Sequence, residues 1–433
     1  MPSIATVPPA VSSERRNQRR EMARARALTD GLLGRVKPEA TYERPIPERH
    51  RIIFYLGHLE AFDWNLVGRH GLGRQKISRE LDDLFAFGID PPMGELPHDQ
   101  PNDWPSIEQT RAYGEEVRHE FDRALDEAAP EIVDMAIEHR LMHAETFSYM
   151  LQNLPYHQRL LPEPSADSTS SRNGNSDDSR IAKLEMIPIT AGPVTLGRKR
   201  SDGFGWDNEF DEQTREVASF SMSRYKISNG QYLEFVRRGG PAPHYWRQRD
   251  GKWFYHGMSA EIPLPFDWPV YVSHQQAEAY AGWIGKSLPT EEQFHRAAFG
   301  TPGGDSEASP ARDRSYRNHS WGNEAPGSRF GNFDFAHPDL VPVTASHAGA
   351  SAFGIEQLVG NGWEWTRTVF APFHGFAASP AYPGYSANFF DGEHFVLKGA
   401  SCATDAALVR SSFRNWFRKD YPYAYTTFRV VEN

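Results

Sequence analysis

The sequence predicts an α+β protein in two parts: a four-helix bundle over residues 1–162 and a mixed domain of short strands and two helices over 183–433. Three observations predict it. In the first part, apolar residues recur at three- and four-residue spacings along four stretches, which is a helical period. In the second part short β-like runs alternate with turns, the grammar of an α+β domain. Between them "EPSADSTSSRNGNSDDSRIA" (163–182) is rich in Ser, Asp and Asn and carries almost nothing to bury, a linker composition.

The elements follow in order. Helices are expected over 12–35, 48–70, 107–128 and 130–153. "PSIEQT" (105–110) opens the third with a serine ahead of an acidic turn, an N-terminal helix signal. The connection over 71–106 is long for a bundle and reads as a loop rich in Pro, Gly and Asp. After the linker, "SHQQAEAYAGWIG" (273–285) and "PTEEQFHRAAFG" (289–300) are the two helical stretches among the strands.

Bulk properties narrow the function. The net charge of −10, from 47 basic and 57 acidic residues, argues against a nucleic-acid partner, which would need a basic face. The basic run "RRNQRREMARAR" (15–26) is spread around a helix and reads as a solvated surface. No apolar run reaches the roughly 18–20 residues of a membrane span, and the charged first thirty residues show no secretory signal. Cys402 is the only cysteine, which rules out an intrachain disulfide or a cysteine-pair metal site and suits a reducing, cytoplasmic setting.

Chemistry enters with "IEHRLMHAETF" (137–147). His139 and His143 are four apart, so a helix stacks them on one face. The pair alone is compatible with a packed core or a metal. "LGHLEAFDW" (56–64) and "EHRLMHAETF" (138–147) together resemble the two histidine motifs of DinB-like bundles, in which one histidine comes from the second helix and an H-x-x-x-H pair from the fourth. That resemblance makes His58, His139 and His143 a candidate metal site. Three neutral imidazoles suit Fe(II), Zn or Cu(II) and leave positions open. Glu138 and Glu145 read as solvated or supporting groups.

In the second part "LPTEEQFHRAAFG" (288–300), "GNGWEWT" (360–366), "LKGAS" (397–401) and the terminal "FR" (428–429) occur in that order. They resemble the formylglycine-generating-enzyme-like domain, a C-type-lectin-related fold, over nearly all of 183–433. Enzymes of that name work through cysteine thiols. Here only Cys402 stands nearby, and it reads as a small buried apolar residue. Arg410, Arg414 and Arg429 read as fold-supporting arginines. Gly360, Gly362 and the stretch Trp363 to Trp365 read as turn and core.

A DinB-like bundle fused to this domain resembles the ergothioneine-biosynthesis sulfoxide synthases, the EgtB family. The most specific stretch is "YPGYSANFFDGEHFVLKGAS…VRSSFRNW" (382–416). The resemblance implies joining of a thiol to C2 of the imidazole of hercynine, using non-haem Fe(II) and O2, with the sulfur left as a sulfoxide. It implies Tyr382 as proton donor, there being no tyrosine between Tyr55 and Tyr113 to replace it, with Tyr385, Asn415 and Trp416 lining the substrate pocket. Two departures bear on the substrates. Members using γ-glutamylcysteine carry an acid and an arginine where this chain has Phe417 and Tyr421, which points to a smaller donor, most simply cysteine. Met142 stands where those members often have glutamine, removing one hydrogen bond to the imidazole substrate. The alternatives are a relative acting on another imidazole or chalcogen donor (histidine with cysteine, or a selenosugar with hercynine) and a non-catalytic lectin-like binding module. The sequence leaves the oligomeric state unknown.

Overall fold

The computed structural model describes residues 12–87, 96–161, 181–302, 317–337 and 339–433. The expected linker, apart from Ile181 and Ala182, lies outside the described residues. The chain divides into two compact units, Met1–His143 and Ala144–Asn433.

In the first unit α1 (Ser13–Leu33) is capped by Ser12, whose hydroxyl accepts from the Arg15 amide. It buries Met22, Ala25, Thr29 and Leu32, a three- and four-residue stripe. Helix α2 (Ile52–Asp63) is buried on almost every side and runs on as a π-helical segment, Trp64–Gly71. Helix α4 (Ile107–Ala124) starts in a capping box, with Ser106 and Gln109 each bonding the other's backbone amide. Helix α5 (Pro130–Asn153) carries the H-x-x-x-H pair and crosses the unit boundary after His143.

The expected loop over 71–106 holds a further helix, α3 (Arg79–Phe87). Ser78 caps it by accepting from the Leu81 amide, and the buried Asp82 carboxylate takes the Ile77 amide. All the prolines of the connection come after Phe87, so composition averaged over its whole length hid nine helical residues. Residues 88–95 of that connection lie outside the described residues.

A buried ionic net ties the bundle together. Arg140 of α5 donates to Glu60 at 2.5 Å and to Asp63 at 2.7 Å, both on α2. Arg118 of α4 reaches the same Glu60 at 2.7 Å and Asp30 of α1 at 2.7 Å. Burial works against an ionised Glu60, but Arg140 and Arg118 outweigh it and hold its carboxyl below the ordinary range.

In the second unit α6 (Asn229–Arg237), α7 (His274–Trp283) and α8 (Glu291–Phe299) each begin in a Ser/Thr–Gln capping box. The sequence reading anticipated the last two and missed α6. The strands are β1 (Met186–Ile189), β2 (Gly192–Leu196), β3 (Gln213–Val217), β4 (Phe220–Ser223), β5 (Trp246–Arg249), β6 (Lys252–His256), β7 (Glu261–Pro263), β8 (Trp363–Val369), β9 (His394–Lys398), β10 (Asn415–Arg418), β11 (Thr426–Thr427) and β12 (Val431–Glu432). They form sheets ordered β1-β4-β12, β10-β9-β8-β11, β2-β3 and β5-β6-β7. A core of Ile189, Val194, Met222, Phe294, Ile355 and Leu358 joins strands to α8. The two tryptophans of "GNGWEWT" are buried on β8. Gly360 before them has φ +94, and a Cβ there would meet the Asn332 backbone at 2.7 Å. Among the described residues no helix is long and apolar enough to cross a membrane.

Candidate functional site

Helix α2 repeats aromatic rings every four residues, at Phe54, His58 and Phe62. Phe54 stacks on His58 with centroids 4.6 Å apart, and Phe62 lies flat against His139 of α5 at 3.4 Å. His143 is one turn further along α5, its ring 4.5 Å from that of His139 and 5.1 Å from that of His58. One nitrogen from each of His58, His139 and His143 lies within 4.8 Å of the others. Among the described residues this is the group of three or more metal-ligating side chains that comes together.

The electrostatics suit a metal. The Phe85 carbonyl lies 2.7 Å from Nδ1 of His58. A carbonyl can only accept, so Nδ1 carries the proton and Nε2 keeps the lone pair. Burial pushes His58 down to about 4. His139 and His143 are likewise held well below the ordinary histidine value, by burial first and by neighbouring histidines second. All three rings are therefore neutral at pH 7, the form that binds metals. The donor set is three imidazole nitrogens with no carboxylate among them, so the residues fit one borderline divalent ion. Arg140 and Glu60, close in sequence to His139 and His58, clamp the two histidine-bearing helices.

The other anticipated site residues lie in the second unit, except Met142, which is half-buried on α5 beside His143. The loop after β8 carries Tyr382 and Tyr385. Their rings are 5.8 Å apart, and Tyr385 stands edge-on to Trp416 at 5.2 Å. Trp416 is backed by Phe370, stacked nearly parallel at 4.3 Å. Burial raises the Tyr382 phenol above its ordinary value and keeps it protonated. Asn415 and Trp416 are consecutive on β10, so their side chains leave the sheet on opposite faces. The structure thus groups Tyr382, Tyr385 and Trp416, and groups the three histidines; Asn415 turns away from Trp416 and accepts from its backbone amide.

Several side chains differ from the sequence reading. Glu138 and Glu145 are not solvated; they are 9% and 7% exposed. Glu145 accepts from the Trp363 indole and the Thr404 hydroxyl, both at 2.7 Å, an anchor made by α5 beyond His143. Cys402 is half-buried, its thiol pushed up to about 12 by burial, and it lies 3.8 Å from the Tyr271 hydroxyl. That thiol is neutral and unsuited to nucleophilic work. The three arginines are fold-supporting, as expected, and each has a carboxylate partner: Arg410 with Glu209, Arg414 with Glu291, Arg429 with Glu364. Sequence reasoning missed Phe85 and Phe62, which orient and cover the histidines, and Trp206, which stacks on Tyr385 at 4.0 Å. The four-residue spacing of Phe62 from His58 was a visible signal; nothing local marks the other two.

A bundle with an internal histidine triad, joined to a mixed domain of short sheets, defines a two-domain class. A DinB superfamily model matches residues 21–159, and a sulfatase-modifying factor enzyme 1-like domain model matches 173–433. Ergothioneine biosynthesis protein 1 of Schizosaccharomyces pombe is 28% identical over 94% of this chain and 54% of its own length. Hercynine oxygenase of Mycobacterium tuberculosis is 35% identical over 52% of this chain and 54% of its own. Hercynine oxygenase of Mycolicibacterium thermoresistibile is 32% identical over 70% of this chain and 68% of its own. This chain belongs to the EgtB family. It spans about half the length of the S. pombe and M. tuberculosis relatives.

Proposed function

We propose that the chain is a hercynine–thiol sulfoxide synthase dependent on ferrous iron and O2, with free cysteine as the preferred thiol. The observation that carries the reading is the triad of neutral imidazoles in a chain whose relatives are named for hercynine and ergothioneine. The reaction balances as follows. The C2–H and S–H bonds break, a C–S bond forms, one oxygen atom goes to sulfur and the other leaves as water.

In this reading Nε2 of His58 and one nitrogen each of His139 and His143 hold the ion. A ferrous ion held there supplies Lewis acidity toward a thiol and electrons toward O2. The fixed tautomer of His58, set by Phe85, keeps that nitrogen aimed without reorganisation. Tyr382 acts as the proton donor, and its raised pKa supports the role, since the phenol is protonated at pH 7. The rings of Tyr385 and Trp416 offer faces to a quaternary ammonium, a contact worth about 0.5–2 kcal/mol. Asn415 leaves β10 on the face opposite Trp416, so it would meet the substrate apart from these rings, and Met142 leaves the imidazole one hydrogen bond short. Phe417 and Tyr421 lie parallel with centroids 4.9 Å apart, an apolar pair that supports a donor without a γ-glutamyl arm. The lone cysteine suits a reducing cytoplasm. A second reading, another imidazole or chalcogen donor, draws support from Met142 and from the same apolar pair.

The test is direct. Anaerobically purified protein is given Fe(II), hercynine and a panel of thiols, exposed to O2, and its products are read by mass spectrometry. A cysteinyl sulfoxide of hercynine is expected. Iron-loaded protein that leaves hercynine untouched with every thiol defeats the reading.

A further inference from the structure

The Tyr382 loop is held from below by one carboxylate. From Ser379 to Phe389 the chain makes successive tight turns: the Tyr382 amide donates to the Ser379 carbonyl, Tyr385 to Tyr382, and Phe389 to Ser386. Turns of this kind set local curvature but do not fix a loop to its domain. The fixing comes from Asp207, 7% exposed, on a short 3-10 turn (Asp207–Glu209). Its Oδ2 accepts the Ser379 amide at 3.2 Å, and its Oδ1 accepts the Ser386 hydroxyl at 2.5 Å. One side chain therefore grips both ends of the segment that carries Tyr382 and Tyr385.

The residue before it works on the middle of the same segment. Trp206 is buried and stacks on Tyr385, the rings 4.0 Å apart and 23° from parallel. The turn is anchored in its own right. Glu209 accepts from the Trp206 amide at 2.9 Å, from Arg410 at 2.5 and 2.8 Å, and from the Ser412 hydroxyl at 2.6 Å. Charge-assisted bonds of this kind are the stronger class. The turn is thus fixed to Arg410 and Ser412 through Glu209, and to the loop through Asp207.

We infer that Asp207, seconded by Trp206, is a positioning residue for the Tyr382 hydroxyl, and that its grip on the loop sets how much oxidation ends in the coupled sulfoxide. The inference rests on the role proposed for Tyr382. A donor displaced by an ångström loses much of its catalytic value, even when substrates still bind. The carboxylate touches no reacting atom; it acts through Ser379 and Ser386.

Two readouts on the full chain test it. The first is amide hydrogen exchange over 379–389 in metal-free protein. The second is the ratio of coupled sulfoxide to cysteine sulfinic acid in iron-loaded protein given hercynine, cysteine and O2. Sulfinate formation adds both atoms of O2 to the thiol, so it needs no further reactant. In Asp207→Ala, protection should fall about tenfold or more, as expected when a local opening costs less. The sulfoxide-to-sulfinate ratio should fall about as much, and KM for hercynine should rise with it, because Tyr385 rides on the same loop. Asp207→Asn keeps one acceptor oxygen for the Ser386 hydroxyl but turns an NH2 donor toward the Ser379 amide, so it should recover only part of both. If Asp207→Ala does not fold, Ser386→Ala removes one bond of the grip and should move both readouts the same way, by less. Unchanged exchange overturns the inference, and so does a loss of total turnover at an unaltered product ratio. A wild-type protein that makes no sulfoxide defeats the proposed function instead, and exchange alone then decides whether Asp207 holds the loop.

Discussion

At the residue scale, His58 shows how a neighbour selects the chemistry of a ring. A histidine offers two nitrogens, and the Phe85 carbonyl at 2.7 Å takes the proton of one, leaving the other to bind. His139, by contrast, owes its orientation to a flat contact with Phe62. His139→Ala should therefore remove a ligand while sparing the ionic net behind it. It should lose iron on gel filtration and lose turnover, as read by metal analysis and product formation; normal iron retention would dissolve the assignment. Tyr382→Phe keeps the ring, so binding of iron and substrates should change little. Sulfoxide formation should fall by about 10²–10⁴, the usual worth of a positioned acid, and cysteine sulfinate should take its place. An unaltered product ratio would move the acid to another residue. The stacked Phe417 and Tyr421 bear on the thiol. Cysteine should exceed γ-glutamylcysteine by about tenfold or more in kcat/KM, a difference of about 1.4 kcal/mol. Competition between the two thiols in one assay measures it, and a preference for the dipeptide would mean that other residues supply the missing grip.

At the scale of elements, the contact between α2 and α3 governs the site more than either helix does alone. Gly57 precedes His58, and a Cβ at that position would lie 2.5 Å from the Phe85 ring. Glycine here answers a close approach, since α3 must pass near enough for its carbonyl to reach His58. Gly57→Ala should push Phe85 away. Overpacking of this size costs about 1–3 kcal/mol, visible as a lower urea midpoint. It should also weaken metal binding, because the displaced carbonyl no longer fixes the imidazole. A variant as stable as wild type and with the same metal affinity would show that α3 does not orient the ring. The π-helical continuation of α2 lies just beyond these residues, and such segments often mark functional stretches of a helix.

At the scale of the whole molecule, buried titratable groups make stability depend on pH. Burial holds His244, His256 and His274 at about 4, well under the ordinary 6.5. These rings stay neutral in the fold and take up protons on unfolding. The stability linked to them is complete above pH 6.5 and is lost as pH falls from 6.5 toward about 4. Glu209 and Glu364 act in a lower window. Burial opposes their ionisation, but Arg410, Arg429 and Lys226 outweigh it, so their carboxyls lie below the ordinary 4.5. Their contribution is present above 4.5 and is lost below it. Urea midpoints of metal-free protein should therefore fall in two stages on acidification, and His274→Gln should flatten the upper one. A midpoint constant from pH 6.5 to 4.5 would show that these rings ionise in the fold without cost.

Whatever depends on short-range periodicity is legible in the linear chain. The four expected helices appear where the apolar spacing put them, the Ser106 cap forms, and His139 and His143 share a face because four residues make about one turn. Motif order was enough to identify the second fold and its buried tryptophans. What tertiary structure decided involves partners distant in the chain or parts of the backbone. The carbonyl that selects the His58 tautomer lies 27 residues away, and the carboxylate that grips the Tyr382 loop lies 172 and 179 residues from its partners. Glu145 reads in the sequence as a solvated or a supporting group, and Trp363, 218 positions on, decides between the two by burying it. A linear pattern records which side of an element is apolar. It does not record which carbonyl or carboxylate will face that side once the chain has folded.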